Sequence, residues 1–197
     1  MKPIANLFFE MGMLKKTPRS GFQFLGTGGE SVAEHVFQTI FIGYTLCKLE
    51  KAADELRVMK MCLVHDLPEA RTGDMNYVNK KYVTVDEGKA VTDLAETLFF
   101  GDDIEGAISE FNAGKTLESK LAHDADQLAL ILQLKENGDL GNKYSGEWID
   151  FALKRLCTDT AKKVAQAILD TDSAEWWFGE KGDWWVTANN DRGRHDK

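Results

Sequence analysis

Four histidines in 197 residues are few. Two of them, His35 and His65, fall on the inward apolar stripes of consecutive predicted helices, and Asp66 adjoins the second. A lone inward histidine can be held by a hydrogen bond to a carboxylate. An adjacent aspartate changes the balance, because a buried carboxylate is costly unless it is paired or bound to a metal. Imidazole and carboxylate donors suit borderline first-row divalent ions such as Mn, Co, Ni, Zn or Fe. They suit Mg less well, since it prefers oxygen. Neighbours on a regular helix diverge by about 100°, so His65 and Asp66 can share one ion only at a helix end. Pro68 supplies that end by disfavouring helical geometry in the residue before it.

The elements that must position these groups are helical. Three prolines, abundant Ala, Leu, Glu and Lys, and apolar residues spaced by three and four predict an all-α, single-domain bundle over residues 1–187, followed by a polar tail over 188–197. Ile4, Leu7, Phe8, Met11 and Leu14 share a face of the first segment, which Pro18 closes. Ser31 and Glu34 form a capping box. It opens a helix whose stripe of Val32, His35, Val36, Thr39, Ile40, Gly43 and Leu46 turns His35 inward. A third helix runs from about Asp54 to the His65-Asp66-Leu67 stretch. Residues 73–88 are polar and rich in turn formers, and are expected to be irregular. Further helices are expected over 89–100, 117–137 and 147–169. In the second of these, Asp124 lies on the most apolar stripe with Leu117, Leu121, Leu128 and Leu132, while Asp126 is flanked by Ala122, Ala129 and Leu130. The Trp176-Trp177 and Trp184-Trp185 pairs carry enough apolar area to require packing on the domain or on a partner subunit.

The overall charge narrows the partners. A formal net charge of -8 disfavours polymeric nucleic acid, whose binding needs a basic surface to displace counterions. No apolar run approaches the roughly 20 residues of a membrane-spanning helix, and the opening Met1-Lys2-Pro3 stretch lacks a signal-peptide core. Cys47, Cys62 and Cys157 show no C-x-x-C spacing, which argues against a disulfide framework or zinc knuckle and fits a reducing cytoplasm.

Three stretches together form a pattern: Ser31-Val32-Ala33-Glu34-His35, Val64-His65-Asp66-Leu67-Pro68-Glu69 and His123-Asp124-Ala125-Asp126. A lone His, a His-Asp pair and a distant Asp in this order resemble the HD-domain phosphohydrolases, and within them the small 5'-deoxynucleotidase-like group. Leu14-Lys15-Lys16-Thr17-Pro18-Arg19-Ser20-Gly21-Phe22 and Thr72-Gly73-Asp74 are similar to that group as well, so the resemblance covers about residues 10 to 135. It implies that His35, His65, Asp66 and Asp126 bind the metal and that Glu69 acts near the attacking water. It further implies that Arg19 holds the substrate phosphate and that Asp74 contacts the sugar or leaving oxygen. By local pattern alone, Glu69 is a solvated carboxylate opening a helix, Arg19 a surface residue and Asp74 a turn former. Two-metal sites of this kind recruit extra histidines, and only His123 and His195 remain, so a single metal is expected. Phe22 stands where a larger indole is often seen in the group.

The activity these features imply is metal-dependent hydrolysis of a phosphate monoester, a (deoxy)nucleoside 5'-monophosphate, by a cytoplasmic homodimer. The alternatives are a phosphodiester or pyrophosphate hydrolase of a signalling nucleotide, or a catalytically silent nucleotide-binding helical module.

Overall fold

The computed structural model describes residues 1–180 together with Gly182 and Trp185. Its helices are α1 (Lys2–Met11), α2 (Phe22–Leu25), α3 (Val32–Leu49), α4 (Glu55–Val64), α5 (Glu69–Thr72), α6 (Glu87–Ala95), α7 (Gly101–Ala113), α8 (Leu117–Asp139), α9 (Ser145–Leu153), α10 (Asp159–Asp170) and α11 (Glu175–Phe178). Among the described residues there is no strand, and Pro18 and Ser31 share one isolated antiparallel bridge. No helix among them is long and apolar enough to cross a membrane.

Helices α3, α4 and α8 form the centre. Val32 and Leu46 of α3, Val58 and Met61 of α4, and Leu121, Leu128 and Ile131 of α8 are wholly buried in one apolar cluster. Each such side chain contributes about 1.5–3 kcal/mol by leaving water, so the seam that carries the polar site is held by its apolar neighbours. The start of α3 is fixed as its residues require: the Ser31 hydroxyl accepts the Glu34 N–H, and the Ser31 N–H donates to Glu34 Oε2 at 2.7 Å. Gly43 lets α3 and α4 approach closely, because a Cβ there would lie 2.8 Å from Cys62 Sγ.

The structure departs from the sequence expectations in four places. The expected α1 face is only partly used. Leu14 is buried and Ile4 and Leu7 pack on the core, but Phe8 and Met11 are exposed. The helix expected over 89–100 ends at Ala95, and α7 was not expected at all; Ile104, Ala107, Ile108 and Phe111 give it a buried face. The helix expected over 147–169 is two helices, broken at Lys154–Cys157 because Thr158 caps a new start by accepting the Ala161 N–H. Trp176 is 87% exposed and Trp177 lies against Phe178 and Trp185, so packing within the chain covers only part of the first tryptophan pair. Trp184 and the expected tail over 188–197 fall outside the described residues. The stretch over 73–86 is irregular as expected, with one short 3-10 turn at Asn79–Lys81.

Candidate functional site

His35 comes from the first turns of α3, His65 from the C-terminal cap of α4, Asp66 from the turn before α5, and Asp126 from the middle of α8. His35 Nε2 lies 2.9 Å from Asp126 Oδ1 and 3.7 Å from Asp66 Oδ2, and His65 Nε2 lies 3.3 Å from Asp66 Oδ2. One ligand atom from each of His35, His65 and Asp126 falls within 4.8 Å of the others. The His-Asp pair does sit at a helix end, as Pro68 requires.

The donor chemistry of this cluster fits a divalent metal. The Nδ1 of His65 is 2.9 Å from the Cys62 carbonyl. A carbonyl can only accept, so Nδ1 carries the proton, and in the neutral ring Nε2 is left as a lone pair. That buried Nε2 has no aligned hydrogen-bond partner and faces a carboxylate. Acceptors converging on acceptors are stable only around a cation, and a ring oriented through its other nitrogen is how metal-binding imidazoles are held. Burial opposes charge on His65, but Asp66 and Asp126 outweigh it and raise its pKa to about 9. Burial likewise disfavours the Asp66 and Asp126 carboxylates, yet the two imidazoles and Arg19 hold both below the usual range.

Asp124 does something else. Its Oδ1 accepts the Cys157 N–H at 2.6 Å, and its Oδ2 accepts the Thr158 N–H at 2.9 Å and the Thr158 hydroxyl at 2.6 Å. It is wholly buried, on the most apolar stripe as periodicity indicated, but there it ties the start of α10 to α8. Two residues apart on a helix means about 200°, so Asp126 emerges on the opposite side, beside His35. His123 also has a place: its Nε2 is 2.8 Å from the Phe111 carbonyl and its ring stacks on Phe111 at 4.0 Å, while His65 packs 5.0 Å from the same ring.

A cavity of about 210 Å³ opens over the cluster, lined by Arg19, Asp66, Glu69, Asp74 and Asp126 among others. Arg19 Nη1 is 3.5 Å from Asp66 Oδ2. Burial works against its charge, and Asp66, Asp126, Asp74 and Glu69 together more than restore it. The loop carrying Arg19 is fixed on both sides. The Arg19 N–H donates to the Glu30 carbonyl, and Asp74 Oδ2 accepts the Ser20 N–H at 2.6 Å and the Ser20 hydroxyl at 3.2 Å. Asp74 therefore holds the loop as well as facing the cavity. Glu69 opens α5 with Oε2 buried and unpartnered. Its burial, then the charges of Asp66 and Asp74, push its pKa up to about 8 against the opposing pull of Arg19 and His65. All seven residues singled out in the sequence thus lie at one cavity mouth or directly beneath it.

Other residues at the cavity gave no sequence signal. Gln127 donates to Asp126 Oδ2 at 2.8 Å, and Arg155 Nη1 donates to Gln127 Oε1 at 2.9 Å. Tyr77 and Trp148 complete the far wall. They come from the irregular stretch and from α9, and only the folded chain brings them together.

The fold and this clustering agree with one family: residues 11–168 match the HD-domain model, and the chain belongs to that family. The class of enzyme expected, a hydrolase on an all-α scaffold, stands with it. Among particular relatives, the 5'-deoxynucleotidase HDDC2 of Dictyostelium discoideum is 32% identical over 142 residues, which cover 66% of this chain and 75% of that protein. The protein of the same name from Danio rerio is 29% identical over 139 residues, 68% of each chain. A conserved hypothetical protein of Pyrococcus furiosus superposes with a TM-score of 0.74 at 28% identity, covering 85% of this chain and 99% of that one.

Proposed function

We propose that this chain hydrolyses deoxynucleoside 5'-monophosphates to nucleoside and phosphate, with His35, His65, Asp66 and Asp126 holding one divalent transition metal. The observation that carries the reading is the convergence of two imidazoles and two carboxylates under a cavity that also presents Arg19. The names of the relatives support the substrate. Mn, Co, Ni, Zn or Fe suits the mixed nitrogen and oxygen set better than Mg does. When bound, such an ion supplies Lewis acidity toward a phosphoryl oxygen and activation of water.

The chain's own groups do the rest. Arg19 offers a planar fork to two phosphate oxygens, and its restrained loop means little entropy is lost on binding. Glu69, with its unpartnered oxygen and raised pKa, is placed to accept a proton from water and to return one to the departing sugar oxygen. Asp74 keeps Arg19 in register through Ser20 and faces the sugar side. A homodimer is part of this reading, supported by the large apolar side chains exposed on α1 and α3, Phe8, Phe9, Phe37 and Phe41. Light scattering that finds only the 22.1 kDa chain would overturn that part.

The reading as a whole is tested by phosphate release from deoxynucleoside 5'-monophosphates with Mn or Co, set against phosphodiester and pyrophosphate substrates. Glu69→Gln should lower kcat by about 10²–10⁴-fold, the usual contribution of a positioned proton-transfer group. Turnover that survives this change removes Glu69 from its role, and preference for a diester removes the monoester assignment.

A further inference from the structure

A second cavity continues from the first. Tyr77, Leu130, Trp148, Phe151 and the charged Glu147, Lys154 and Arg155 line it, and it shares Tyr77, Leu130, Trp148 and Arg155 with the cavity over the acidic cluster. The two ends differ in chemistry. One gathers carboxylates, imidazoles and Arg19, and the other presents the aromatic faces of Tyr77, Trp148 and Phe151 with Leu130, rimmed by Glu147, Lys154 and Arg155.

The aromatic wall is built. The six-membered ring of Trp148 packs on the Arg19 loop, since a Cβ on Gly21 would lie 3.5 Å from it. Tyr77 meets Trp148 edge to face at 6.3 Å. The Arg155 guanidinium lies 5.5 Å from the Tyr77 ring centre while bonding to Gln127, which in turn bonds to Asp126. Arg155 is thus fixed between the aromatic wall and the acidic cluster. Tyr77 is 55% exposed, so its ring is open to a ligand rather than spent on the core.

We infer that this second cavity is the nucleobase subsite, with Trp148 and Tyr77 as the stacking wall and Arg155 as its cationic edge. The inference rests on the phosphomonoesterase reading for the position of the phosphate. It goes further by stating that substrate is held at both ends. Flat aromatic faces beside a guanidinium accept any base by stacking, because every base has a π-face. The subsite therefore recognises that a base is present more than which base it is. Below the wall, Phe22 is buried in a small cluster against which Trp148 packs, which further fixes the indole in place.

The test uses the full, metal-loaded chain and calorimetry with two non-hydrolysable phosphonates, the analogues of thymidine 5'-monophosphate and of base-free 2-deoxyribose 5-phosphate. Turnover of the two parent phosphates is followed in parallel. The wild type should bind the nucleotide analogue about tenfold or more tightly than the base-free one, the size of effect that base stacking carries. Tyr77→Ala and Trp148→Ala should shrink that gap to about threefold or less without weakening the base-free analogue, and Trp148→Phe should keep most of it. Equal affinity for both analogues in the wild type overturns the subsite, as do variants that weaken both alike. An affinity gap without any turnover keeps the subsite and removes the hydrolytic reading, whereas turnover without a gap does the reverse.

Discussion

Asp124 and Asp126 are the same residue two positions apart on α8, and they lead different lives. Asp124 faces three donors, two backbone N–H groups and a hydroxyl, and sits wholly out of water with every demand met. Asp126 faces the His35 nitrogen and, beyond it, Asp66 and His65; its close partners are that imidazole and the Gln127 amide, with Arg19 farther off. The comparison shows what separates a structural carboxylate from one available for chemistry. Burial does not do it, since Asp124 is the more buried of the two. The difference is whether the surrounding groups already satisfy the charge.

The largest effect that would sharpen the contrast is on activity. Asp126→Asn should abolish stoichiometric metal, measured by atomic absorption, and cut phosphate release by about a thousandfold or more, because the several kcal/mol of charge stabilisation from the metal go with it. A variant that retains both metal and turnover would break the distinction. Next in size is a loss of stability. Asp124→Ala leaves three donors without an acceptor, and a buried unsatisfied group costs about 1–3 kcal/mol. Chemical unfolding should therefore show a loss of about 3 kcal/mol or more, with KM of the folded enzyme unchanged; an altered KM with normal stability would reverse the roles.

The smallest effect is one of pH on the metal-free protein. His65 and Glu69 both have folded pKa values raised above their ordinary ones, to about 9 and about 8. The folded state then holds those protons more tightly than the unfolded one, so the stability they confer is full at low pH and is lost as pH rises through these values. The lowered Asp66 and Asp126 act in the opposite sense and only at acid pH. Metal-free Tm should thus fall between about pH 6.5 and 9, and His65→Gln should flatten much of that fall. A profile that rises over this range would contradict the acceptor-rich character of the site.

How much of this was legible in the sequence follows the same division. The capping box at Ser31 and Glu34 and the stripe behind it placed α3 and turned His35 inward, because both signals are local. Pro68 placed the His65-Asp66 turn for the same reason. The choice between Asp124 and Asp126 was not local. The wheel correctly found the buried face at Asp124, but the groups waiting there, Cys157 and Thr158, are more than 30 residues away in sequence. Only the family pattern pointed to Asp126. Helix α7 escaped notice although Ile104, Ala107, Ile108 and Phe111 have helical spacing, since Gly101, Gly106 and the acidic residues between them dilute the signal. The break before α10 was signalled by Thr158, a good capping residue inside what periodicity alone joined into one helix.

Gly43 sets a tolerance on the whole assembly. It lies on the His35 face of α3, two turns from that ring, and leaves no room for a methyl group against Cys62. The Cys62 carbonyl is the very group that fixes the His65 ring. The seam therefore works as a mechanical stop: a single carbon added at Gly43 would press on the residue that aims one imidazole while shifting the helix that carries the other. Anyone grafting this site into another helical scaffold must copy that glycine along with the histidines, although it touches neither of them.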